Sequence, residues 1–110
     1  MGKTLYETVE RWTKEPWNGD KYLHFARKLY GHLNIEGVSA GYLGKTVTRL
    51  ESYISEVIET IDMGLDTQET AKEGLERLLK DKIFAKGARD IEANFETLEF
   101  KVLKPGKATA

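Results

Sequence analysis

The chain has no cysteine, two prolines, a single glutamine and no excess of either charge. Without cysteine there is no disulfide, no thiolate nucleophile and no zinc site built on sulfur. The same absence fits a reducing setting, and a cytoplasmic location is expected. No stretch is long and apolar enough to span a bilayer, and the opening residues GKTLYETVERW are charged from the start. Neither a membrane span nor a signal-peptide core is therefore expected. The net charge is −1, from 17 basic against 18 acidic side chains. With the two signs evenly spread, charge alone singles out no partner. Gln68 is the only glutamine and Asn18, Asn34 and Asn94 the only asparagines, while 32% of residues are charged. Few amides and many charges lean toward a thermophilic source.

What the chain does have is one long patterned stretch, Gly37 to Leu65. Its apolar residues Leu43, Val47, Leu50, Ile54, Val57 and Ile61 alternate spacings of four and three, which keeps one stripe on one side of a helix. Tyr42, Tyr53 and Ile58 widen that stripe. Ser39 is the expected N-cap and Gly64 the expected left-handed stop, with Leu65 folding back on Ile61. A helix from Ala40 to Asp62 would be about 34 Å long at 1.5 Å per residue. Such a stripe is longer than one small layer covers easily.

The other elements are arranged around it. The 110 residues make one helical domain, with 104–110 as a loose tail after Pro105. Thr4 caps a first helix carrying Leu5, Val9 and Trp12, stopped ahead of Pro16, with a strand over 4–12 as the alternative. A second helix, Lys21 to Leu33, presents Tyr22, Leu23, Ala26, Leu29, Tyr30 and Leu33. Asp66 and Glu69 form a capping-box variant for a fourth helix from Thr67. Phe84, Ala88, Ile91, Phe95 and Leu98 keep helical spacing beyond Gly87. Leu98, Phe100 and Val102 then alternate with Glu99 and Lys101 at strand period, leaving 97–103 open between strand and helix. The expected fold class is all-α: a small four- to five-helix bundle with a long central helix and a short C-terminal strand that has no obvious partner of its own.

The segment GVSAGYLGKTVTRL, Gly37 to Leu50, resembles the turn and second helix of a helix-turn-helix, as in AraC-type regulators. The resemblance covers about a dozen residues and implies that Ala40, Lys45 and Arg49 face a DNA major groove, an arginine there pairing with guanine. An ordinary inter-helix turn capped by Ser39 is the competing reading. Metal ligands in a bundle would call for Glu-x-x-His units, and none occurs. Asp20 with His24, Glu56 with Glu59, and Glu73 with Glu76 share helix faces without forming such a site. No nucleophile elbow or phosphate loop is present.

The expected function is a non-catalytic protein–protein interaction module, a self-associating or adaptor subunit, without cofactor. Its partner-binding candidates are Trp12, Trp17, Tyr22, Tyr53 and Phe100, because large aromatics anchor interfaces at low entropic cost. A helix-turn-helix regulator using Ala40, Lys45 and Arg49, with nucleic acid as partner, is the first alternative. A metal-binding bundle is the second.

Overall fold

In the computed structural model, which describes residues 3–103, the patterned stretch forms one unbroken helix, α3, over Tyr42–Asp62. Leu43, Val47, Leu50, Ile54 and Val57 are all buried. The expected stop is present. Gly64 takes φ 75°, the Leu65 N–H donates to the Thr60 carbonyl at 2.9 Å, and the Gly64 N–H to that of Ile61 at 3.0 Å. That is a Schellman end, although the Leu65 side chain stays exposed. The start is different. Ser39 lies inside a turn closed by the Gly41 N–H on the Val38 carbonyl, and Gly41 is the N-cap, with no side-chain cap bond. The turn takes up Ala40, so the helix begins two residues later than the spacing predicts.

The stripe of α3 is roofed by its own chain. Helix α2, Gly19–Glu36, lies along one flank, and α5, Lys82–Arg89, along the other. Arg27 and Glu51 meet across α2 and α3 at 3.2 Å, each about equally far from the connecting turn, so the two helices run antiparallel. Helix α2 outruns its predicted end at Leu33 by one turn. It stops at Gly37 (φ 76°), where the Val38 N–H reaches back to the Leu33 carbonyl at 3.0 Å and Val38 is buried.

Helix α1, Leu5–Trp12, is capped as the sequence implies. The Glu7 N–H donates to Thr4 Oγ1 at 3.1 Å and the Thr4 N–H to Glu7 Oε1 at 2.9 Å. The alternative strand over 4–12 does not form; the strand here is confined to the two residues ahead of the helix, β1, Lys3–Thr4. Helix α4, Gln68–Leu79, is capped by Thr67 paired with Thr70; Asp66 supports them by accepting from the Thr67 N–H and the Thr70 hydroxyl.

The C-terminal third corrects the all-α expectation. Asp81 Oδ1 accepts from the N–H groups of Ile83 and Phe84 and starts α5, which ends at Arg89. The next residues form β2, Ile91–Asn94, and β3, Glu99–Val102. Ile91 and Ala93 point inward and are buried, so a stretch whose apolar spacing also suits a helix is a strand. The sheet is antiparallel in the order β1-β2-β3, with Thr4 opposite Glu92 and Ala93 opposite Phe100. The terminal strand thus pairs within its own chain. The hairpin turns through 95–98: Asn94 Oδ1 accepts from the N–H groups of Glu96 and Thr97, each at 3.0 Å, and Leu98 adopts φ 59°. The predicted loose tail, 104–110, lies outside the described residues.

Two glycines of helix interiors separate space from propensity. A Cβ on Gly87 would overlap Thr46 of α3, whose own side chain is fully buried, whereas a Cβ on Gly31 of α2 meets nothing within 4 Å. Gly87→Ala is expected to cost about 1–3 kcal/mol through overpacking. Gly31→Ala is expected to gain about 0.5–1 kcal/mol by stiffening an open helical position. Urea melts of the two variants check the opposite signs; equal shifts would refute the close approach of α3 and α5.

Candidate functional site

Two consecutive helices and a hairpin some seventy residues further on deliver their aromatic side chains to one place. The last turn of α1 supplies Trp12, the inner face of α2 supplies Tyr22 and Phe25, and the hairpin turn supplies Phe95. Trp12 stacks on Tyr22 with ring centroids 4.1 Å apart and planes 12° from parallel. It meets Phe25 and Phe95 edge-on at 5.5 and 5.3 Å. Phe25 also touches Phe95 and Phe100, at 5.1 and 5.5 Å. Trp17, in the α1–α2 connection, stands edge-on to Tyr22 at 5.2 Å. Such contacts favour offset and T-shaped pairs because the ring face is negative and its edge positive.

Beside this cluster, between α1 and the hairpin, opens a cleft of about 170 Å³ lined by Lys3, Thr8, Arg11, Trp12, Ala93, Asn94, Phe95 and Glu96. A shallower hollow of about 480 Å³ shares Arg11, Phe95 and Glu96 with it and extends to Trp17, Lys21 and Tyr22. Trp12 is 1% exposed, and its indole Nε1–H has no hydrogen-bond acceptor among the described residues. A buried donor left without an acceptor costs about 1–3 kcal/mol. The other polar groups are partly committed. Asn94 spends its carbonyl oxygen on the turn, Thr8 Oγ1 donates to the Thr4 carbonyl at 3.1 Å, and Arg11 Nε donates to Glu15 at 2.7 Å. Lys21 Nζ sits 5.2 Å from the centre of the Phe95 ring.

The predicted anchors therefore divide. Trp12 and Tyr22 are the buried interior of the cluster, and Trp17 and Phe100 are half-buried at its edges. Tyr53 stands apart, in the contact between α3 and α4, where its hydroxyl donates to the Ala71 carbonyl at 2.6 Å. Phe25 and Phe95 join the others together; Phe95 carried no signal as a site residue, because it fell within a helical spacing and its position depends on the β2–β3 turn. Of the groove candidates, Ala40, Lys45 and Arg49 are exposed, and Arg49 Nη1 lies 3.5 Å from Asp81 Oδ2 at the start of α5. No group of three His, Asp or Glu among the described residues is placed to hold a metal ion; His24 is exposed and His32 lies 4.0 Å from Glu36. No helix among them is long and apolar enough to cross a membrane. No protein-family description, curated protein or solved structure matches this chain.

Three tyrosine hydroxyls are shifted upward. Burial raises Tyr22, whose hydroxyl donates to the Pro16 carbonyl at 3.2 Å. Burial, followed by the hydrogen bond to Asp90 and the charge of that carboxylate, pushes Tyr42 up to about 12. Burial chiefly pushes Tyr53 up to about 12 as well. The folded chain holds these protons above the ordinary tyrosine value of 10.0, at which an unfolded chain releases them. Their contribution to stability is therefore complete below about pH 10 and lost as the pH rises toward 12. Tyr53→Phe is expected to remove one late ionisation from an alkaline titration followed by phenolate absorbance, and to cost about 0.5–1.5 kcal/mol at neutral pH. A titration curve identical to that of the parent chain would contradict this assignment.

Proposed function

We propose that this protein is a non-catalytic interaction module, an adaptor subunit that docks a partner protein at the cleft between α1 and the β2–β3 hairpin. The observation that carries the reading is the indole N–H of Trp12, a buried donor with no acceptor among the described residues, beside an open cleft. Buried polar groups in folded proteins nearly all find a partner, so an orphan beside a cavity marks a place where an acceptor arrives from outside. At about 170 Å³ the cleft is smaller than the roughly 300–1,000 Å³ of typical small-molecule sites. It suits a single anchoring side chain, with the adjoining hollow beyond Phe95 to hold the flanking residues.

The chemistry of the lining narrows the anchor. Lys3, Arg11, the Asn94 amide and Trp12 Nε1 are donors, and among the described lining residues Glu96 alone is acidic. An acceptor-bearing side chain, a carboxylate or carboxamide, fits that set. The aromatic walls add apolar area around it, as in interface hot spots. Of the two forms of interaction module, the adaptor is favoured over self-association. The α3 stripe is covered by α2 and α5, and β3 has its ladder in β2.

Panning a random peptide library against the protein tests the reading. Enriched peptides are expected to carry Asp, Glu, Asn or Gln beside an apolar residue and to shift the Trp12 indole resonance. The exposed double substitution Lys3→Glu/Arg11→Glu is expected to weaken them about tenfold or more. Peptides that bind equally well to the double variant, or leave the Trp12 indole unmoved, would remove the cleft from the function.

A further inference from the structure

Helix α5 has the sequence KIFAKGAR, in which Lys82, Lys86 and Arg89 follow each other at spacings of four and three. They form one exposed stripe, while Phe84, Gly87 and Ala88 are buried on the other side. Along the neighbouring helix the contacts run in reverse order. The Tyr42 hydroxyl donates to Asp90 at 2.6 Å, Thr46 Oγ1 donates to the Ile83 carbonyl at 3.2 Å, and Arg49 faces Asp81 at 3.5 Å. Tyr42, Thr46 and Arg49 are thus the row of α3 that borders α5. Lys45, beside Thr46 in sequence and exposed, lies on the outer side of that row.

Packing the two helices together therefore gathers five cations, Lys45, Arg49, Lys82, Lys86 and Arg89, in a chain whose net charge is −1. Two carboxylates at the ends of the seam offset part of that charge: Asp81 caps α5 and is ion-paired with Arg49, and Asp90 accepts from the Tyr42 hydroxyl, which leaves three positive charges in excess. Two of the cations are steadied over rings. Lys86 Nζ lies 4.7 Å from the centre of Tyr42, and Arg89 Cζ 4.1 Å from the centre of Tyr6. Ile83, 45% exposed, lies in the same seam. The surface is a ridge rather than a pocket, and none of its cations lines the aromatic cleft.

We propose that the α3–α5 seam binds the phosphate backbone of a nucleic acid, a second surface independent of the peptide cleft. From Lys82 to Arg89 the stripe runs about 10 Å at 1.5 Å per residue. That is the axial length of about three successive phosphates of one strand at roughly 3.4 Å each. A row of exposed cations on a ridge matches a regularly spaced polyanion better than it matches an acidic peptide, whose carboxylates are fewer and need pockets for their flanking side chains. Because α5 flanks the first turns of α3, contact goes to phosphates rather than base edges, and binding is independent of sequence.

Fluorescence anisotropy with a labelled mixed-sequence oligonucleotide, single- and double-stranded, tests this against polyglutamate of equal length. Oligonucleotide binding is expected at about 50 mM salt, weakening with a log–log slope of roughly −2 to −4.5, as for three to five neutralised phosphates. Lys82→Gln/Lys86→Gln is expected to weaken binding about tenfold and to flatten the slope by about 2. Lys45→Glu, which touches none of the packed contacts, is expected to act in the same direction, and Lys28→Glu on α2 to change little. No binding at low salt, equal affinity for polyglutamate, or an equal loss with Lys28→Glu would overturn the proposal. The cleft is left intact by all of these substitutions, so peptide binding there stands or falls separately.

Discussion

Thr46 of α3 and Gly87 of α5 lie so close that no methyl group fits between them, and the rest of the molecule follows from that approach. It brings α5 down onto the central helix, so that the Thr46 hydroxyl reaches the Ile83 carbonyl and Phe84 and Ala88 complete the cover of the α3 stripe. It also sets the point from which the chain leaves α5. Asp90 is held by Tyr42 and accepts from the Leu103 N–H at 2.8 Å, so β2 and β3 begin from a clamped end. Interiors pack at crystal-like density, so a contact of this kind is felt by every element attached to it.

The hairpin carries that constraint to the other side of the molecule. Strand β2 is flanked by β1 and β3, and its turn places Phe95 against Trp12, Tyr22 and Phe25. The left-handed Leu98 is the cost of closing that turn with a residue other than glycine. What results is an aromatic cluster built from two consecutive helices and a distant hairpin, with the buried Trp12 indole donor lacking an acceptor among the described residues. The same helix pairing that positions the hairpin also aligns the cations of α3 with those of α5. Cleft and cationic seam are thus two products of one packing arrangement, on surfaces that share no lining residue.

Several features were legible because their causes are local. The Thr4 cap, the unbroken α3 and the left-handed Gly64 each depend on residues within one or two turns, and each is present, although α3 starts two residues late. The cap at Ser39 failed on a local detail, since the turn through Val38–Gly41 used that residue first. Ile91 and Phe95 misled for another reason: inward positions of a short strand and its turn coincided with a helical spacing. Nothing within the segment itself distinguishes the two. The decision came from pairing on both edges: β3 partners all four residues of β2, and Lys3–Thr4, some ninety residues away, partners two of them on the other side.

The sequence alone determined the approximate course of the first four helices, the cap at Thr4 and the stop at Gly64, and that one apolar stripe runs the length of the longest helix. These follow from capping chemistry and from a period of 3.6 residues, both of which act over short range. The tertiary structure decided what covers that stripe, how the terminal strand is paired, which aromatics are interior and which cations become neighbours. Each of those depends on contacts between residues far apart in the chain, and the balance of packing and loop closure that selects them has no local signature.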